Sequence, residues 1–145
     1  MRREAFSMIE LVFVIVILGI LAAIAVPRFA ATRVDAQITK GKSDIASIRS
    51  AIISERQSRL VRGESSWITA LSGASTSLFD GNDSDHSLLM YGVSPSTSSG
   101  HWSGTDPNYM YKVGNDNCYF HYYKSNGKFD LNTSSSATIC SKLVN

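Results

Sequence analysis

Charge is scarce in this chain and almost cancels. Its 14 lysines and arginines stand against 12 aspartates and glutamates, a formal net charge of +2, and no basic run follows Arg62. That balance excludes binding to nucleic acid through the phosphate backbone. There are two cysteines, Cys118 and Cys140, both late in the chain and without a CxxC. A zinc site would need more ligands at tighter spacing. In an exported chain such a pair makes one disulfide, the alternative being two buried free thiols. The 3 histidines, His86, His101 and His121, are scattered without metal-ligand spacing and read as loop or strand residues. Serines abound, yet none sits in a GxSxG elbow, and there is no P-loop. No enzyme, metal or cofactor is expected.

What the chain does have is a long apolar run at its front. Phe6 to Ala25 is about 20 residues, or roughly 30 Å as a helix, enough to cross a bilayer core. Gly19 is its one helix-weak residue, and Pro27 closes it. Arg2 and Arg3 would hold the N-terminus on the cytoplasmic side, and Arg28 marks the far interface. A carboxylate, Glu10, interrupts the front of the run, where a charge is costly and kept for a purpose. The rival reading is a signal peptide on a secreted soluble binding protein, cut after Ala25 at the small-x-small stretch Ala23-Ile24-Ala25. Glu10 counts against it, and so does the sequence after Pro27, which continues as a helix.

In that continuation Val34, Ile38, Ile45, Ile48 and Ile52 recur at helical spacing, with Gly41 on the same stripe. Arg33, Asp35, Lys40, Lys42, Asp44, Arg49, Glu55 and Arg56 lie mostly elsewhere. Gly63 is a natural stop. The pattern predicts one long helix over 6–62 with a bend at Pro27, apolar all round in its first half and one-sided in its second. The single stripe must lie against a folded partner.

After Gly63 serine, glycine and short apolar pieces replace the periodicity. Trp67, Ile68 and Leu71 suggest a short connecting turn of helix. "DGNDSDHS" reads as a polar loop, "SLLMYGV" as a strand and "SPSTSSGHWSGTDPN" as a long flexible loop. "YMYKV", "CYFHYYK" and "KFDLN" read as strands, the last two joined by a turn at Ser125-Asn126-Gly127. "ATIC" reads as a final strand that brings Cys140 to Cys118. The sum is α+β, a long helix on a small antiparallel sheet.

The stretch "AFSMIELVFVIVILGILAAIAVPRF" resembles the N-terminus of type IV pilins and of the pseudopilins of type II secretion. The likeness is specific over about the first 30 residues and weak beyond. It implies a leader over 1–5, an apolar membrane and assembly helix over 6–27, an amphipathic helix over 28–62 and a pilin-like head over 63–145. A prepilin peptidase would cut between Ala5 and Phe6 and methylate Phe6. Alanine stands where the family usually has glycine before the cut. Glu10 and Pro27 match the family's glutamate and bending proline, and the stretch from Gly19 to Pro27 would loosen on assembly. The C-terminal segment of such a head is often closed by a disulfide. The subunit would sit in the inner membrane, then join a helical homopolymer, extracellular or periplasmic, through an inner-membrane assembly platform. Cutting before Phe6 frees a positive α-amine, which in a bundle of helices can neutralise a neighbour's Glu10 and so set the axial register.

Some side chains are left over. Asp80, Asn82, Asp83 and Asp85 invite calcium, but Asp85 stands where an EF-hand needs glycine and no glutamate closes the loop. The calcium loop that major pseudopilins carry near the C-terminus has no recognisable counterpart after Cys118, which favours a pilin. Asn82-Asp83-Ser84 and Asn132-Thr133-Ser134 are acceptor sequons, each with an acid two residues upstream. Tyr109, Tyr111, Tyr119, Phe120, Tyr122 and Tyr123 alternate along strands, mostly as sheet packing, and an exposed subset could serve adhesion or stacking.

Overall fold

The computed structural model describes residues 6–73, 76–81, 88–132, 134–135 and 138–145. The expected cleavage residue Ala5, the sequon at Asn82 and His86 lie outside the described residues. Contacts divide the chain into two units, one ending at Asp35 and the other running from Ala36 to Asn145.

Helix α1 spans Met8–Val61, 54 residues, with Pro27 inside it. It stops for a local reason. Gly63 takes φ +87, its N–H donates to Leu60 O at 3.0 Å, and the Glu64 N–H donates to Arg59 O at 2.9 Å. This is a Schellman cap, which consumes the last free carbonyls and requires a left-handed residue that glycine supplies cheaply.

In the second unit Ile38, Gly41, Ile45, Ile48 and Ile52 are buried, and Val34, in the first, is only half-buried. The stripe carries one residue more than expected. Glu55 is 9% exposed, and its Oε1 accepts from Arg59 Nε at 3.0 Å and pairs with Arg62 at 3.5 Å. A carboxylate tolerates that position because two guanidinium groups compensate its lost hydration.

The sheet is an antiparallel meander in the order β1-β2-β3-β4. Its strands are β1 Trp102–Thr105, β2 Asn108–Val113, β3 Asp116–Tyr123 and β4 Lys128–Leu131. The β2–β3 register, Tyr109↔Phe120 and Tyr111↔Cys118, sets all four of these side chains inward. The β2–β3 turn has Gly114 at φ +59, and the β3–β4 turn has Gly127 at φ +69. The Asp106–Pro107 bond between β1 and β2 is cis.

Aromatic rings fill the head. Phe79 meets Trp102, Tyr109 and Phe129 at centroid distances of 5.4, 4.5 and 5.8 Å, and Phe120 stacks on Phe129 at 5.4 Å. Offset and edge contacts of this kind add to the burial term. The buried half of α1 lies on this core through polar contacts as well. Tyr111 OH donates to Gln37 O at 2.8 Å and Trp102 Nε1 to Asp44 Oδ2 at 3.0 Å.

Four expectations about the head are corrected. No helical turn forms at Trp67–Leu71. Tyr122 OH donates to Ile68 O at 2.8 Å and Asp106 Oδ1 accepts from Leu71 N at 2.9 Å, so sheet side chains satisfy this backbone in place of a helical ladder. "SLLMYGV" is not a strand. Of its described part only Val93 makes a bridge, to Leu78, because the run is apolar without the alternation a half-buried strand needs. The serine-rich stretch before Pro107 is not all loop. It contains β1, where the fully buried Trp102 and pairing to β2 override poor local propensity. The described part of "ATIC" is no strand either, and Thr138–Ser141 is a helical turn, α2. Cys118 faces the core, so its partner must come from the inner side of the sheet and not from a strand edge.

Candidate assembly site on the N-terminal helix

The start of α1 is built by Ser7. Its carbonyl accepts from Glu10 N at 3.1 Å and from Leu11 N at 3.2 Å. Ser7-Met8-Ile9-Glu10 has the S-x-x-E spacing of a capping box, and Glu10 is the acid of the first turn. A carboxylate there also suits the positive end of the helix dipole. Sequence reasoning missed Ser7 as a cap, although the spacing was there to be read. Among the described residues no side chain pairs with Glu10.

Beyond Glu10 the helix shows only apolar side chains as far as Val26 and leaves nearly all of them exposed, Phe13, Leu18 and Ile24 among them. The segment is long and apolar enough to cross a membrane. Nothing lies within 4 Å of a Cβ built on Gly19, so a neighbouring backbone could approach closely there. Pro27 has no N–H, which leaves the Ala23 carbonyl without its helical donor. Phe6, two residues ahead of the helix, and Glu10, Gly19 and Pro27 along it thus lie in one unit.

The remaining candidates lie in the second unit. Cys118 and Cys140 are bonded, with Cα atoms 5.4 Å apart, and both are fully buried. Asn132 follows β4 and is half-buried; its Oδ1 accepts from Ser134 N at 3.1 Å. His101 is exposed, whereas the His121 Nδ1–H donates to Asn108 Oδ1 at 2.7 Å. Among the described residues no three His, Cys, Asp or Glu side chains converge as a metal site would require. Burial pushes the Tyr111 phenol up to about 12, with the Asp44 carboxylate adding to the shift. Burial does the same to Tyr122, also to about 12, helped by Asp106 and opposed by Arg59. Tyr109 is raised further, by burial first. These phenols are packing groups with hydrogen-bond handles and are not poised for proton transfer.

Comparison with known proteins bears on the front of the chain. Residues 1–26 match the family model described as the prokaryotic N-terminal methylation motif. The chain is 49% identical over 51 residues to the type IV narrow pilus major component PilA5 of Thermus thermophilus, covering 35% of this chain and 44% of that protein. It is 41% identical over 51 residues to type II secretion system core protein G of Pseudomonas aeruginosa, covering 35% of this chain and 36% of that protein. A fimbrial protein of Pseudomonas aeruginosa is 37% identical over 49 residues, 34% of this chain and 32% of that one. The chain therefore spans less than half the length of these curated relatives. No solved structure matches it. The chain carries the prokaryotic N-terminal methylation motif and has type IV pilus and type II secretion proteins among its homologues.

Proposed function

We propose that this chain is the structural subunit of a type IV pilus-like filament. A prepilin peptidase cuts it between Ala5 and Phe6 and methylates Phe6. Residues 6–27 hold the subunit in the inner membrane until an assembly platform moves it into a bundle of like helices. In the bundle Glu10 faces the α-amine of a neighbour's Phe6. The observation that carries this reading is the exposed apolar front of α1, whose one charge is Glu10 in the first turn. Such a surface needs lipid or other helices around it, and a lone acid in it needs a cation.

The test separates assembly from folding. Glu10→Ala removes the partner of a buried amine, a loss of about 3–5 kcal/mol at each subunit contact. Filaments counted by microscopy should vanish or fall sharply, while membrane-fraction protein measured by immunoblot stays normal. Glu10→Gln keeps the capping geometry without the charge and should be intermediate at best. Normal filaments from Glu10→Ala would sink the proposal.

A pseudopilin of a type II secretion system is the second reading, favoured by the 41% identity to core protein G. It shares the assembly chemistry but confines the filament to the periplasm, so labelling of intact cells with an antibody to the head decides between them. Mass spectrometry of the mature N-terminus separates both from a secreted protein, which would begin at Val26 and not at Phe6.

A further inference from the structure

The inner face of the sheet is used up by the core, and the outer face is not. Along β3 the outward residues include Tyr119, His121 and Tyr123, and the two tyrosines are 43% and 44% exposed. Ser103, Met110 and Tyr119 form one cross-strand row on that face, and Thr105, Asn108 and His121 form the next. Between them runs the inward-facing row Gly104, Tyr109 and Phe120, so the two outward rows stand apart with backbone beneath. The result is a shallow depression of about 330 Å³ over the Gly104–Tyr109 pair. Its floor is rigid, because a Cβ on Gly104 would meet Asn108 O at 2.6 Å and Tyr109 Cα at 3.0 Å.

We propose that this depression binds the ring of a neutral saccharide. The walls supply what a pyranose asks for. Tyr119 and Met110 offer a flat, polarisable apolar side to the C–H face of the ring. Ser103 and Thr105 offer hydroxyls that both donate and accept, as sugar hydroxyls do. The His121 Nδ1–H occupies Asn108 Oδ1 at 2.7 Å, which fixes the amide and leaves its nitrogen to donate. The volume is at the small end for a ligand site and suits a single ring. None of the lining residues is charged. The nearby Lys124 is turned to Asp106 at 3.7 Å, and phosphate recognition, which needs arginine or lysine, has nothing to work with. The site uses no residue of the assembly helix.

Saturation-transfer NMR on the full-length protein tests this, in micelles of a zwitterionic detergent that carries no sugar. The probes are the methyl glycosides of glucose, galactose, mannose and N-acetylglucosamine, each added alone. At least one should receive transfer. Tyr119→Ala should weaken its binding about tenfold, the scale of one lost ring-stacking contact. Thr105→Trp, which plugs the depression from an exposed strand position, should abolish it. Tyr91→Ala, an exposed tyrosine outside the lining, should leave it unchanged, and near-ultraviolet circular dichroism shows that each variant is folded. Transfer to none of the four glycosides overturns the proposal. So does transfer that survives Thr105→Trp or is lost equally in Tyr91→Ala. Retention of a short thymidine oligomer without transfer to any glycoside also overturns it and assigns the face to nucleic acid. The readout needs only the solubilised subunit, so failure here leaves the filament reading standing.

Discussion

Replacing Gly41 by alanine should destabilise the head, although the rule for helices says the opposite. In an exposed helix interior glycine costs about 1 kcal/mol relative to alanine, so the change would stabilise α1 by that amount. At this position the new Cβ would lie 2.6 Å from Tyr111 Cε1, 2.8 Å from Leu143 Cδ2 and 3.1 Å from Tyr111 Cζ. The leucine methyl can swing aside. The tyrosine ring cannot, because its hydroxyl is tied to Gln37 O at 2.8 Å and its face packs on Trp102 with centroids 4.9 Å apart. Overpacking of a core costs about 1–3 kcal/mol, and breaking the Tyr111 hydrogen bond adds about 1 kcal/mol. Set against the helix gain, the net loss is about 1–3 kcal/mol, which lowers Tm by roughly 5–15 °C for a unit of this size. Thermal melts of the full-length protein in detergent, followed by near-ultraviolet circular dichroism, measure it. Tyr111→Phe cuts the tether, so Gly41→Ala should cost less in that background, and the two losses should be less than additive in a double-mutant cycle. A rise in Tm on Gly41→Ala alone would refute the packing argument.

Gly127→Ala should be worse still, by about 2 kcal/mol or more, because φ is +69 and the added carbon would overlap the Trp67 ring; tryptophan fluorescence should report the displaced ring. Removing the disulfide, which closes a loop with a sequence separation of 22, should cost roughly 3 kcal/mol in the chain-entropy model. Melts of Cys118→Ala/Cys140→Ala against the parent check that, and equal midpoints would contradict it. Raising the pH should unfold the head late. Tyr111 and Tyr122 move from 10.0 unfolded to about 12 folded, so their neutral forms contribute in full below pH 10 and that contribution is lost as pH climbs from 10 through 12. Near-ultraviolet tyrosinate absorbance should show a late step that Tyr111→Phe and Tyr122→Phe each diminish. A single step near the ordinary value would count against the burial.

The architecture was legible where one rule acted alone. The Ile38–Ile52 stripe needs only helical periodicity, and the Gly63 stop needs only one left-handed residue. Strands β2, β3 and β4 alternate cleanly because one face is core and the other is not. Reading failed where a distant partner outweighed local preference. Ser103 and Gly104 are poor strand formers, yet Trp102 drags them into the sheet by burying its own ring. Ile68 and Leu71 suggest a helical turn until Tyr122 and Asp106 claim their backbone groups. Glu55 looks like a surface charge until Arg59 and Arg62 are seen to enclose it. In the first two cases the deciding contact joins residues that sequence spacing cannot relate, whereas Glu55, Arg59 and Arg62 stand at i, i+4 and i+7 of one helix and only the burial of that position was hidden.

The candidate assembly site was legible for the opposite reason, since it depends on almost nothing tertiary. Its residues lie in one uninterrupted run, and length, apolarity and a single misplaced acid are all readable in order. That same simplicity keeps its chemistry from being complete in one chain. Glu10 has a helix dipole and a capping position to sit in; glutamine would serve the capping position and forgo only the ~0.3–1 kcal/mol of the dipole. Neither requires a full charge at the edge of an apolar segment. In the proposed filament that charge would meet the α-amine of a neighbouring copy's Phe6. Under the proposed function Glu10 is thus matched to association between copies more than to the folding of one chain.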